Sequence, residues 1–336
     1  MAGITHRDRG LRVHRWLGLV SGLFAVALAL SGVILACAPL IERIAAPDRY
    51  RISGETRIAA QAYSDAASRR LRPGERIATL ALGEGSAPVV VTLDRVGDRA
   101  QRQLFLDPPT AHILASGWRD GGVIGAVRRL HDGLFLAGAG RWIVGIAGIA
   151  IVLTGLSGFW AALARQRPAK RSARIGDAVR AWHRGIGFWS AIPVLAMTVS
   201  GIALALSDTA TAPRPAPPVA RPALPVARVV ASAQRWSQGS LSAIDWPTER
   251  SADWTLSFAG PAPGIVKVAD DSVGAVAAPG HAAPVMLSWA RRLHDGRAMS
   301  WAGRALAVLV GLLALGTAAT GLIAWTRRPK VRPARR

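Results

Sequence analysis

The chain has 336 residues, 51% of them hydrophobic and only 18% charged, with a formal charge of +22. Its positive mean hydropathy and the gathering of apolar residues into four long runs exclude an ordinary soluble enzyme of this size. The basic residues cluster at the ends of those runs, where they set topology, and this removes the nucleic-acid reading that such a charge would otherwise invite.

In chain order, residues 1–15 form a basic segment with Arg7, Arg9, Arg12 and Arg15. The first predicted span covers 16–40, enough apolar chain to cross a hydrocarbon core of about 30 Å, which takes about 20 residues. It exceeds the apolar region of a signal peptide, about 7–15 residues, so the small-residue pattern around Cys37 reads as membrane sequence and not as a cleavage site. With a single cysteine there is neither a disulfide framework nor a Cys-x-x-Cys-His attachment site.

Residues 41–127 read as an external α+β domain with a helix over 55–70 and strands over 89–93 and 103–106, the latter ended by Asp107-Pro108-Pro109-Thr110. Residues 128–164 carry Leu130-His131-Asp132-Gly133 and the second span, 142–164. A basic loop, 165–184, holds Arg165, Arg167, Lys170, Arg171, Arg174, Arg180 and Arg184, and the third span follows over 185–206. Residues 207–288 read as a second external α+β domain: a Pro-rich spacer over 213–225, a helix over 226–236, and strands over 254–258 and 264–268. Residues 289–326 hold the second Leu-His-Asp-Gly segment and the fourth span, 301–325, before a basic tail, 327–336. The positive-inside rule makes the three basic segments cytoplasmic, so both termini are expected inside a bacterial inner (cytoplasmic) membrane that the chain crosses repeatedly.

An internal repeat organises this layout. Val13-His14-Arg15-Trp16-Leu17-Gly18 through Ser31-Gly32-Val33 matches Trp182-His183-Arg184-Gly185-Ile186-Gly187 through Ser200-Gly201-Ile202 without a gap. Arg128-Arg129-Leu130-His131-Asp132-Gly133 recurs as Arg291-Arg292-Leu293-His294-Asp295-Gly296, and Gly140-Arg141, Gly148 and Gly158 recur as Gly303-Arg304, Gly311 and Gly321. The expected fold is a membrane all-α core of four helices, built as a two-fold parallel repeat of helix, external α+β domain and helix.

Four of the seven histidines obey the repeat and fall at span ends: His14 and His183 on the cytoplasmic side, His131 and His294 on the outer side. Ionisable groups at membrane depth are costly and mark functional sites, and neutral imidazole is the commonest metal ligand. Haem has two axial positions, so the topology proposes two bis-histidine sites, His14 with His183 and His131 with His294, holding two haem b groups as a transmembrane wire. At 100° per residue, Gly18, Ser21, Ala25 and Gly32 share a face with His14, and Gly187, Ser190 and Gly201 with His183. Such a face suits a flat macrocycle better than it suits simple packing, the alternative being that small residues let helices approach one another closely.

Arg141 and Arg304, ten residues after their histidines, are candidates to pair with haem propionates, or they snorkel to the interface. Asp132 and Asp295 either orient a ligand or, more simply, cap the next helix. The tryptophans at span ends form an aromatic belt. His6, His112 and His281 have no repeat partners and read as surface residues, His112 and His281 being external. No hydrolase, Walker or dinucleotide motif is present, so electrons must come from a separate donor or from the quinone pool.

The residues His14-Arg15-Trp16-Leu17-Gly18 with Ser31-Gly32, Leu130-His131-Asp132-Gly133 continuing to Gly140-Arg141-Trp142-Ile143-Val144-Gly145, and Thr154-Gly155-Leu156 before Trp160 resemble the PepSY-associated transmembrane proteins. These are often described as iron-regulated membrane proteins, and some are ferric-siderophore reductases. The stretch from Leu104 to Leu114 looks like the closing hairpin of a PepSY domain, with Ala111 where a glycine is usual. The resemblance spans almost the whole chain. It implies two PepSY-like external domains, His14, His131, His183 and His294 as haem ligands, and reduction of an external ferric chelate with electrons from a cytoplasmic flavoprotein or quinol. It leaves two other readings: a non-enzymatic membrane protein whose external domains bind or regulate a peptide or protease partner, and a chelate permease. The permease is the weaker of these, because the spans have no mid-membrane carboxylate and no helix break beyond Pro193.

Overall fold

The computed structural model describes residues 6–95, 100–136, 138–163, 175–210, 222–248, 251–260, 264–272, 274–278, 285–295 and 300–327. Basic residues 165–174, most of the Pro-rich spacer, His281 and the tail beyond Arg327 lie outside these. The helices are α1 (His6–Ala36), α2 (Ala38–Ala45), α3 (Ala60–Ser68), α4 (Gly122–Gly133), α5 (Ala139–Leu163), α6 (Ile175–Ala210), α7 (Val226–Gln234), α8 (Val285–Asp295) and α9 (Ser300–Thr326). The chain forms two compact units, one of residues 1–38, 127–211 and 285–336, the other of residues 39–126 and 212–284.

In the first unit α1, α5, α6 and α9 are each long and apolar enough to cross a membrane. Large apolar side chains such as Leu23, Ile146, Leu153, Ile192 and Leu309 point outwards and exposed, the reverse of a soluble bundle and what a lipid solvent requires. Inside the bundle are small residues, with Ser21, Ser31, Ser190 and Ser200 all buried. α1 packs on α5 and α9, and α6 packs on the same two helices. The four therefore form a ring in which α1 and α6 stand diagonally opposite.

Close approach in that ring uses glycine. A Cβ on Gly148 would lie 2.6 Å from Ile202, and one on Gly311 2.6 Å from Val33. The face of Gly18 and Ser21, which suits a flat cofactor by sequence, is used in this way. A Cβ on Gly18 would meet Thr154 Cγ2 at 3.5 Å, and Ser21 Oγ lies 3.0 Å from Thr154 Oγ1. Gly187 and Ser190 face Thr317 likewise. These residues seat one helix on the next.

α1 stops short of the predicted span end because Pro39 has no N–H and its ring would clash one turn back; Cys37 N–H makes a last bond to Val33 O at 3.1 Å. His131 and His294 do not lead directly into α5 and α9. They sit on the short helices α4 and α8. After α4 the chain breaks at Leu134 and Phe135, whose φ values are 52° and 61°, while Leu134 N–H and Phe135 N–H still bond back to Leu130 O and Arg129 O. Asp132 therefore lies in the last turn of α4, seven residues before α5 begins, and does not cap α5. Asp295 is the last residue of α8.

The second unit is one antiparallel sheet of β1 (Glu75–Ala81), β2 (Val89–Arg95), β3 (Arg102–Leu106), β4 (Ile113–Trp118), β5 (Ser240–Asp245), β6 (Trp254–Ala259), β7 (Gly264–Val268) and β8 (Ala275–Ala278). Its order is β4-β3-β2-β1-β5-β6-β7-β8. Residues 41–127 supply four strands, residues 207–288 the other four, and β1 and β5 join them through Thr79↔Asp245, Leu80↔Ile244 and Ala81↔Ala243. Alternation along the strands sends Leu80, Leu93, Leu104, Ile244, Leu256 and Val266 to one face, where α3 and α7 cover them through Tyr63, Ala67, Val229 and Ala233. Residues 41–127 and 207–288 thus share this single core. Burial of each such aliphatic side chain contributes about 1.5–3 kcal/mol.

The β3–β4 connection is the Asp107-Pro108-Pro109-Thr110 turn. Asp107 accepts from Ser53 N and Oγ at 2.7 and 2.6 Å and from Thr110 Oγ1 at 2.6 Å. The buried Tyr63 hydroxyl donates to Pro108 O at 2.5 Å and accepts from Ile58 N–H at 3.0 Å. Ala111 closes the turn with φ 55°, the left-handed conformation that costs an L-residue about 1–2 kcal/mol and that glycine adopts freely. This is the physical reason for a glycine at that place.

Arg102 and Glu75 form a buried ion pair between β3 and β1, with side chains 8% and 7% exposed and N···O at 2.5 Å. Hydrogen bonds from Arg102 hold the Glu75 carboxyl below the usual glutamate range. A depressed carboxylate adds stability above its unfolded value and loses it as pH falls through the folded one. Acidification is therefore expected to loosen this sheet at β1 and β3, read by amide hydrogen exchange. Glu75→Ala, which strands the Arg102 charge, is expected to cost about 3–5 kcal/mol at neutral pH.

A candidate haem centre at two histidine pairs

The ring of helices brings His14 of α1 and His183 of α6 to face each other with ring centroids 6.3 Å apart. His131 of α4 and His294 of α8 meet at 5.9 Å. The pairs lie towards opposite ends of the bundle. His131 touches α1 at Ser31, seventeen residues beyond His14 and so about 25 Å further along the helix.

Each imidazole is anchored in one recurring way. A backbone carbonyl and the hydroxyl three residues later on a neighbouring helix engage Nδ1, and the glycine that follows the hydroxyl residue lies against the ring. For His14 the partners are Thr154 O at 3.2 Å and Ser157 Oγ at 2.9 Å, with a Cβ on Gly158 falling 2.9 Å from Cε1. For His183 they are Thr317 O at 2.9 Å and Thr320 Oγ1 at 3.4 Å, with Gly321 at the same 2.9 Å. His131 takes Ser31 Oγ at 2.9 Å and rests on Gly32. His294 takes Met197 O at 3.1 Å and Ser200 Oγ at 3.3 Å and rests on Gly201.

The hydroxyls already donate within their own helices, Ser157 to Thr154 O, Ser200 to Met197 O, Thr320 to Gly316 O and Ser31 to Ala27 O. Their free capacity towards the ring is acceptance, which assigns the proton to Nδ1 and leaves the Nε2 lone pair for a metal.

The spacing fits a bis-imidazole haem. A metal–imidazole bond is about 2 Å, and with about 1.1 Å from each ligating nitrogen to its ring centroid, two such bonds back to back separate the centroids by about 6.2 Å. Among the described residues no group of three or more His, Cys, Asp or Glu could hold a metal ion. Each pair offers two nitrogen donors, the number of axial positions that a porphyrin-bound iron leaves open.

Arg141, the third residue of α5, and Arg304, the fifth of α9, are exposed near the His131–His294 end of their helices. His112 is exposed in the β3–β4 turn, away from both pairs in sequence and in a different unit.

The family model described as PepSY-associated TM region matches residues 11–328. The chain belongs to that family. It is a multi-pass membrane protein with a helical core and an additional antiparallel sheet unit. All four paired histidines, with Arg141 and Arg304, lie inside the matched region. No curated protein sequence matches the chain.

The anchoring residues Ser157, Thr317 and Thr320 are not singled out by sequence reasoning. A signal for them exists in the Ser-Gly or Thr-Gly pair, at Ser31-Gly32, Ser157-Gly158, Ser200-Gly201 and Thr320-Gly321. It is hidden among other glycines, such as Gly155 and Gly148, that serve helix contacts with Leu195 and Ile202.

Proposed function

We propose that this PepSY-associated membrane protein binds two haem b groups, one at His14 and His183 and one at His131 and His294, and carries electrons across a bacterial inner membrane to an external ferric chelate of the siderophore type. The carrying observation is the pair of facing imidazoles at 6.3 and 5.9 Å, each tied at Nδ1 and open at Nε2. Haem held there would supply redox centres near each face of the bilayer.

The chain's own contribution is orientation and insulation. Thr154, Ser157, Thr317 and Thr320 on one side, and Ser31, Met197 and Ser200 on the other, fix ring azimuth and tautomer. The apolar outer faces of α1, α5, α6 and α9 keep water from the interior. The basic segments put both termini in the cytoplasm, so a flavoprotein or quinol would be oxidised at the His14–His183 side. Fe(III) would be reduced to Fe(II) at the other, and a chelator selective for Fe(III) then lets the ferrous ion go. Within this reading the two halves of the chain are copies of one unit, each contributing one histidine to each pair and one PepSY-like set of four strands.

Purified protein from haem-replete cells is expected to be red, with the reduced α-band of a b-type cytochrome and about two haems per chain by pyridine haemochromogen assay. A colourless preparation would overturn the reading in favour of a non-enzymatic membrane protein.

A further inference from the structure

Six arginines lie on the helices that carry the His131–His294 pair and at the starts of the two that follow them. Arg128 lies about one turn before His131 on α4 and Arg291 about one turn before His294 on α8, with Arg129 and Arg292 next to them; Arg141 and Arg304 stand at the starts of α5 and α9. All six are exposed. The acids in the same segments are Asp132 and Asp295, so the balance there is strongly positive even where these acids pair with arginines. Residues three apart on a helix are neighbours about 5–6 Å apart at Cβ, which places Arg128 and Arg291 beside their histidines. The Arg128 and Asp295 charges both bear on the His131 ring. The Arg292 guanidinium lies 6.0 Å from the centroid of the exposed Trp289 ring.

Topology does not account for these arginines. Positive charge marks the cytoplasmic ends of spans, and in the proposed orientation this is the outer end. Their positions repeat in both halves, around the one place where an external electron acceptor would dock. An electropositive rim with an aromatic edge selects for anions with planar oxygen donors.

We infer that the acceptor is an anionic ferric complex, with carboxylate or catecholate donors, held at the outer pair by Arg128 and Arg291 together with their neighbours Arg129 and Arg292. This rests on the reductase reading above and narrows its substrate class. Lipid phosphate shares the same chemistry, and the test separates the two.

The test uses haem-loaded protein in nanodiscs of phosphatidylcholine and Ga(III) complexes, which copy Fe(III) in charge and shape but accept no electron. Tryptophan quenching should report binding of Ga(III) citrate and a Ga(III) tris-catecholate, weakening steeply with salt, and little binding of a neutral or cationic Ga(III) tris-hydroxamate. Arg128→Gln with Arg291→Gln should weaken the anionic complexes about ten-fold or more, as loss of charge-assisted hydrogen bonds does, with haem content unchanged. Equal binding of all charges overturns the inference. So does unchanged binding in the double variant, the result expected if the arginines serve only lipid phosphates or haem propionates. Re-oxidation of the dithionite-reduced protein by the corresponding Fe(III) complexes separates the two readings: oxidation by all of them regardless of charge overturns only the anionic site, while oxidation by none overturns the reductase.

Discussion

His131→Ala is expected to leave a protein that still folds into the membrane, holds about one haem per chain instead of two, and no longer passes electrons to the external side. The ring it removes sits 5.9 Å from His294 and is held by Ser31 Oγ at 2.9 Å, so the loss falls on one pair while His14 and His183 keep all their anchors. His294→Ala should give the same spectrum as His131→Ala, and the double variant should lose nothing more, because the two ligands act as one unit. His14→Ala should remove the other haem. A loss of both haems from either single variant, or of neither, would contradict two separate bis-histidine centres. Haemochromogen assay and redox titration of membranes reduced by dithionite distinguish these outcomes.

The second large effect concerns glycine, and it has opposite signs at neighbouring places. At an exposed helical position Gly→Ala is expected to gain up to about 1 kcal/mol from helix propensity. Gly185 is such a position, with nothing within 4 Å of an added Cβ, so Gly185→Ala should keep full haem content and raise the unfolding temperature slightly. Gly158→Ala and Gly321→Ala put the same methyl group 2.9 Å from the Cε1 atoms of His14 and His183. These rings cannot turn aside without giving up their Nδ1 bonds. Displacing a ligand from its orienting partners costs about 10–100-fold in metal affinity, and that loss is expected at the inner pair, with the outer haem untouched. Valine at either position should empty the inner pair. Normal haem content in Gly158→Val would show that the ring does not rest on that glycine.

Hydropathy made the four spans legible, because lipid imposes one long apolar run per crossing. The internal repeat made the histidine pairs legible as His14 with His183 and His131 with His294. Other elements had weaker signals. β1 and β5, the pair that joins the two halves of the sheet, read Glu75-Arg76-Ile77-Ala78-Thr79-Leu80-Ala81 and Ser240-Leu241-Ser242-Ala243-Ile244-Asp245, with few β-branched or aromatic residues. Each takes its strand character from a hairpin neighbour, β2 or β6, and from the other across about 165 residues of sequence. The helix over 55–70 shortened to Ala60–Ser68, since Ile58 N–H is claimed by Tyr63 OH and Arg57 reaches Leu82 O. The break between α4 and α5 rests on Leu134 and Phe135 at positive φ, which no residue type there announces. The small-residue face of Gly18 and Ser21 reads by sequence as a cofactor bed ahead of a helix seat, and in the structure it packs on Thr154.

The anchors of the four rings divide in an instructive way. His14 is held by α5 and His131 by α1, both from the N-terminal half, while His183 is held by α9 and His294 by α6, both from the C-terminal half. Each half thus orients its own two imidazoles without help, yet offers only one to each pair. A two-helix chain of this design, standing alone, would be fully prepared and wholly incompetent; its missing ligands could come only from a second chain of the same kind, turned about the membrane normal. Completing each histidine pair is in this sense an act of dimerisation carried out within a single polypeptide.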